Sequence, residues 1–290
     1  MNNIINQESL NAALSKYFAM KRIPILAAVF SFFDAGLGHI YNGNIKKGIL
    51  FYFSFQFILF LAILTNTFKT FYGLLFSLAT ILGFRIFLIV HSFFEAKKIL
   101  EFKPRYFNRW FFYPAFMVLS VMFYFSVSKL ISPLNKMSAH VIAASSMEPV
   151  LLKNDYIMAD ENYFNKNSVG RNDIIIYHPN KNSKNAILGR IIAIAGDTIS
   201  SKDFQIYLNN QPLEESYLLP YNYSEADYLN PTLREFEEVI IELNSIFILS
   251  DNRMNSIDSR MFGQVSVDNI LSKPLYIYWS EKFNRIGTAF

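Results

Sequence analysis

Apolar residues are spaced differently in the two halves of this chain. From about Pro24 to Ile131, Phe, Leu and Ile run together with few polar interruptions; after Ser138, short β-branched runs alternate with polar turns. Segments 48–64, 71–94 and 110–131 have the length and apolar continuity, roughly 20 residues, that a bilayer-crossing helix needs. Segment 24–41 is interrupted by Asp34, Gly36, Gly38 and His39 after about ten apolar residues, which suits a helix dipping into the interface better than a span. In the second half, 174–177 and 187–194 read as strands joined by the turn-rich 180–185. Further strands are expected at 204–208, 239–243, 245–249 and 275–279, and no long amphipathic helix is evident. The fold class expected is an N-terminal α-helical transmembrane region, residues 1–137, followed by a mostly antiparallel β domain, residues 138–290.

Charge orients this arrangement. Lys97, Lys98, Lys103, Arg105 and Arg109 separate the second and third spans and should be cytoplasmic, whereas the loop 65–70 carries only Lys69. Three spans and one dipping helix also keep Lys46, Lys47, Lys16, Lys21 and Arg22 inside, and leave the C-terminal domain outside. The expected location is a bacterial cytoplasmic membrane, multi-pass, with an extracytoplasmic domain and the lipid bilayer as a partner. Arg85 should face the helix bundle, because a charge toward lipid costs at least ~2.5 kcal/mol.

Composition narrows the picture further. Of 290 residues 52% are hydrophobic, including 30 Phe and 17 Tyr, too apolar for an ordinary soluble protein. The net charge of +4 sits near the spans, and no nucleic-acid partner is expected. Cysteine is absent, which excludes disulfide and thiol chemistry. No small-residue cleavage site closes a short apolar core near the N-terminus, so no cleavable signal peptide is expected. The string from Gly36 through His39 to Lys47 and Gly48 resembles a helical-hairpin motif of small bacterial membrane domains. Its glycines allow close approach and tight turns. His39 and His91 stand isolated in sequence and read as packing residues rather than ligands; no metal, nucleotide or cofactor motif is present.

The C-terminal half carries three boxes in order: Ser145-Ser146-Met147-Glu148-Pro149, Gly189-Arg190 through Gly196-Asp197, and Ser250-Asp251-Asn252-Arg253 through Ser256, Asp258 and Arg260 to Gly263. Together they resemble the signature boxes of type I signal peptidases, serine endopeptidases whose general base is a lysine. The likeness extends to Leu152–Tyr156, Arg171–Ile176 and Ile206–Leu213, where Asn154, Asn172 and the Asn209-Asn210 pair carry Asn in place of Gly. Asn tolerates left-handed backbone best after Gly.

The resemblance implies a coiled β-sheet catalytic domain, exported precursor proteins as substrates and no cofactor. It assigns Ser146 as nucleophile, with its own N–H in the oxyanion hole. Met147 and Pro149 would shape the turn, while Ala144 stands where some members carry a second oxyanion donor. Ser256 would orient the lysine, Asp258 and Arg260 would hold the site's backbone, and Asp251 and Asn252 would open the third box.

One position departs from the pattern: Gly189 stands where the lysine belongs. Arg190 is never deprotonated and points to the other face of the strand, and Lys184 is five positions upstream. If the hairpin pairs symmetrically about Ser183, Tyr177 faces Gly189, and a one-residue shift brings His178 there as a substitute base. The sequence therefore supports a signal-peptide-removing endopeptidase or, alternatively, a catalytically silent homologue that binds peptides or partners. A repressor-type serine–lysine autopeptidase is disfavoured, since that class lacks such a membrane region.

Overall fold

A computed structural model describes residues 21–102, 104–131, 135–218, 235–254 and 257–290. Lys16, Lys103 and Ser256 lie outside these residues. Internal contacts divide the chain into two units: the described residues through Phe68 and from Gly73 to Ile131, and Lys69–Tyr72 with the described residues after 134.

The first unit contains α1 (Pro24–Phe33), α2 (Leu37–Tyr41), α3 (Ile45–Leu64), α4 (Phe71–Lys98) and α5 (Phe112–Ile131). By length and composition, α3, α4 and α5 are capable of crossing a membrane. Phe57, Phe76, Leu82, Leu119 and Phe125 stand on their outer surfaces, exposed. That is an apolar exterior suited to hydrocarbon rather than water.

The stretch expected to form one dipping helix forms two. Asp34 is extended and ends α1, and Gly36 reverses the chain with φ +86°. A Cβ on Gly36 would also fall inside 3.0 Å of the Gly48 carbonyl oxygen, so only glycine permits this turn and this approach. Arg85 Nη2 donates to the carbonyls of Phe32 (2.9 Å) and Phe33 (3.0 Å), satisfying the C-terminal end of α1. Small residues set the crossing of α1 on α4: Ser31 Oγ lies 2.9 Å from Ser92 Oγ, which lies 3.1 Å from the Ala27 carbonyl.

The second unit is built from β1 (Met137–Val141), β2 (Tyr156–Asp160), β3 (Ile174–Tyr177), β4 (Ile187–Ile194), β5 (Thr198–Lys202), β6 (Gln205–Leu208), β7 (Gln211–Pro212), β8 (Phe236–Ile240), β9 (Ser245–Leu249), the short α6 (Ser259–Phe262), β10 (Val265–Ser266) and β11 (Ile270–Trp279). One sheet has the order β1-β2-β11-β3-β4-β9-β10 and the other β7-β6-β5-β8; every pairing is antiparallel. The helix-then-antiparallel-sheet architecture is the one the hydrophobic pattern implies. Strand β8 lies three residues earlier than expected, and β1, β2 and β5 were missed because Ser, His, Asp and Lys interrupt their apolar alternation. Asn154, Asn172, Asn209 and Asn210 all adopt positive φ, between +53° and +70°. The Asn-for-Gly exchanges thus fall where the backbone turns left-handed.

Alternation along β3 feeds two cores. Ile174 and Ile176 join Ile142, Met147, Leu151, Ile157 and Ile277 on one face, while Ile175 and Tyr177 join Ile191, Ile246, Ile248 and Val265 on the other. The β3–β4 hairpin is centred on Asn182 rather than Ser183, so Ile175 stands opposite Gly189 and Tyr177 opposite Ile187. The expected pairing of Tyr177 or His178 with Gly189 is therefore corrected. The turn closes one residue earlier, which moves the register by two.

Candidate active site

Ser146 sits on a loop between β1 and β2 whose neck is closed by two backbone bonds, Ile142 N–H to Asp155 O (2.9 Å) and Asn154 N–H to Ile142 O (2.8 Å). Asp155 fastens the same neck. Its carboxylate accepts from Leu152 N–H (2.9 Å), Ser280 Oγ (2.7 Å) and Arg285 Nη2 (2.7 Å). Burial works against the Asp155 charge, but these hydrogen bonds outweigh it and hold the carboxyl below the usual carboxylate range. Met147, 1% exposed, plugs the loop into the core beside Leu151, Ile174 and Ile176, and Pro149 follows a cis peptide bond. The anchored Met147 leaves its neighbour Ser146 half-buried at the surface. Among the described residues neither Ser146 Oγ nor its N–H has a hydrogen-bond partner, so both are free to meet a carbonyl. Ala144 is exposed on the same loop.

The third box reaches this loop through Asn252. Its N–H donates to Ser146 O at 2.8 Å and its Nδ2 to Ser145 O at 3.1 Å. Beside it, Asp251 receives Arg190 in a bidentate pair, Nε–Oδ1 2.9 Å and Nη2–Oδ2 2.7 Å. Arg190 Nη1 adds a bond to Asn172 O (3.0 Å), and the guanidinium stacks 4.0 Å from the Tyr217 ring centroid. Asp258 pairs with Arg260 (2.9 and 2.8 Å) and accepts the Ser250 N–H (3.1 Å), while Arg260 Nη2 also reaches Arg253 O (2.6 Å). Bidentate charge-assisted bonds of this kind fix geometry as well as energy. Ser250–Arg253 and Asp258–Arg260 are thus held together by their own charges and tied to the Ser146 loop by Asn252. Arg253 further engages Glu215 and Tyr217 from the segment after β7, residues that no sequence pattern marked.

The face of β4 that carries Gly189 is different. A Cβ there would fall inside 3.0 Å of Ile248 Cγ2 and 3.2 Å from Tyr177 Cε1. The place where a side chain would begin is already filled by hydrocarbon. Tyr177 cannot serve as a base at working pH. Burial, and then the nearby charge of Asp258, push its phenol far above the usual value. His178 lies beyond the end of β3, three residues and about 10 Å along the strand from the partner of Gly189. Its Nδ1 is 3.3 Å from the Asn185 carbonyl, and its N–H donates to Asn269 O. Lys184 is exposed in the hairpin loop. Signals for Ile248 and Tyr177 existed only in the register, since both belong to ordinary apolar strand runs.

The family model described as "Signal peptidase, peptidase S26" matches residues 109–279, more than half of the chain. Signal peptidase I of Bacillus caldolyticus is 33% identical over 149 residues, covering 50% of this chain and 81% of the relative. Signal peptidase I of Leptolyngbya laminosa is 31% identical over 156 residues (51% and 71%), and signal peptidase I U of Bacillus subtilis (strain 168) is 34% identical over 140 residues (48% and 74%). A solved signal peptidase I from Enterococcus faecalis V583 is 25% identical, with a TM-score of 0.30 over 37% of this chain and 97% of that one. A tethered serine loop, a self-paired third box and matches spanning both lead to one conclusion: the chain belongs to the signal peptidase family, peptidase S26.

Proposed function

We propose that this protein is a membrane-bound serine endopeptidase that removes signal peptides from exported precursors, with Ser146 as nucleophile. Residues 1–137 serve as a multi-pass anchor and residues 138–290 work on the extracytoplasmic side, as the basic clusters flanking the spans favour. The observation that carries this reading is the coupling of the Ser146 loop to the third box through Asn252, with Ser146 Oγ and N–H unengaged among the described residues. Ser146 Oγ attacks the scissile carbonyl of the bound precursor while its N–H steadies the developing oxyanion; the C–N bond then breaks, the departing amine takes a proton from solvent, and water hydrolyses the acyl-enzyme to release the signal peptide and free Ser146. Arg190–Asp251 and Asp258–Arg260 hold the two loops in place. Because no amine rises from position 189, the Ser146 proton passes to solvent, and turnover is slower by the ~10²–10⁴-fold that a general base contributes.

A second reading, binding of precursors without cleavage, is favoured by one observation: the packing of Ile248 and Tyr177 over Gly189. Purified full-length protein in detergent, given a fluorescent precursor peptide, separates the two. Slow cleavage by the wild type, abolished in Ser146→Ala, supports the enzyme. Identical traces from both, with peptide binding retained, support the silent homologue.

A further inference from the structure

His39 and His91, isolated in sequence, meet in the first unit. His39 Nε2 lies 2.8 Å from His91 Nδ1 and 3.9 Å from Glu95 Oε2. His91 and Glu95 are one helical turn apart on α4 and share a face, while His39 comes from α2, where it is fully buried. Each of the three residues offers one ligand atom, and these atoms lie within 4.8 Å of one another. A single imidazole–imidazole hydrogen bond does not satisfy this cluster. Among the described residues Glu95 Oε2, which faces the two imidazoles, is buried without a hydrogen-bond partner, an unfavourable state for a buried carboxylate oxygen. The other carboxylate oxygen, Oε1, accepts from Lys47 Nζ at 2.7 Å, which fixes the carboxylate and turns Oε2 toward the histidines. Phe51 packs 4.6 Å from the His39 ring and Phe87 5.4 Å from the His91 ring, closing an apolar wall around the polar atoms.

We propose that His39, His91 and Glu95 form a site for a divalent transition ion, zinc by its chemistry. Two imidazoles and one carboxylate are a common zinc donor set, with bonds of about 2.0–2.2 Å. Tetrahedral bonds of that length place donors ~3.4 Å apart. The observed 2.8 and 3.9 Å bracket this figure and the three ligand atoms lie within 4.8 Å of one another, so side-chain rotations that bring the donors to that common spacing admit the ion. An entering Zn²⁺ replaces the His–His bond, gives Oε2 its partner, and cross-links α2 to α4. The fourth position is left to water. The site is independent of whether Ser146 cleaves anything.

The test is zinc uptake by the full-length protein in detergent, dialysed against buffered free Zn²⁺ and measured by elemental analysis, with Co²⁺ as a spectroscopic probe. One zinc per chain, an intense four-coordinate Co²⁺ band in the visible, and more than tenfold weaker uptake in His91→Gln and in Glu95→Gln are expected. Absence of zinc uptake by the wild type overturns the site, as does equal uptake by either variant when its metal-free unfolding temperature matches the wild type. If both variants fail to fold, the wild-type Co²⁺ spectrum decides: a weak octahedral, histidine-free signature rejects the site.

Discussion

Residues 189 and 190 are neighbours on one strand, and the protein treats the two sides of that strand in opposite ways. On the Arg190 side a buried guanidinium meets Asp251, the Asn172 carbonyl and the Tyr217 ring, with each group paired. On the Gly189 side the space where a side chain would begin is taken by the Ile248 methyl and the edge of the Tyr177 ring, which close over the glycine. The comparison teaches that the frame of a catalytic fold and its proton chemistry are separable. A buried ion pair cannot lose one partner without stranding the other charge. A base projecting from a strand can give way to glycine once neighbouring hydrocarbon fills the space.

The largest effect is expected from breaking the polar side. Asp251→Ala leaves the Arg190 charge buried and unpaired, and should lower stability by about 3–5 kcal/mol. Denaturant titration would register this as a drop in midpoint, and a loss below 1 kcal/mol would show that the frame does not depend on the pair. Restoring the family residue on the apolar side should be harmful by itself. Gly189→Lys overpacks Ile248 and Tyr177 and should cost about 1–3 kcal/mol. Combined with Ile248→Ala, which opens the space, it should recover folding and raise precursor cleavage by 10²-fold or more, the scale of a general base. Equal cleavage by the double variant and the wild type would mean that position 189 no longer addresses Ser146.

The smallest effect concerns Asp197, at the far end of the same box. Burial opposes its charge, but hydrogen bonds from Arg171, the Ile194 N–H and Asn209 outweigh this and bring its pKa from 3.8 down to about 2. A depressed folded-state pKa stabilises the protein above the unfolded value and ceases to do so as pH falls through the folded one. The contribution, at most about 2 kcal/mol given the exposed Arg171, should therefore be complete at neutral pH and disappear between about pH 4 and 2. Asp197→Asn should be less stable than the wild type at pH 7 and converge with it near pH 2 in thermal melts. A gap independent of pH would trace the effect to packing instead.

Much of this molecule was readable from order and spacing along the chain. Apolar length marked α3, α4 and α5, β-branched runs marked β3, β4 and β9, and the Asn residues at 154, 172 and 209–210 fell where φ is positive. The three boxes point to one family by their residues and their order alone. What failed was register. A hairpin loop of nine residues, 178–186, closes in several ways, and a shift of two placed Ile175 rather than Tyr177 opposite Gly189. Helix 24–41 failed for a related reason: local hydrophobicity cannot show that Gly36 must turn against Gly48.

The sequence by itself determined the elements and the boxes, because helix length, strand alternation and turn residues are local properties of a chain. Only the tertiary structure decided what lies over Gly189, and that His39, from a short helix after a glycine turn, meets His91 and Glu95 about fifty residues away. Both outcomes depend on how elements distant in sequence cross. Contacts of that kind are set by the packing of whole faces, which no single residue pattern specifies.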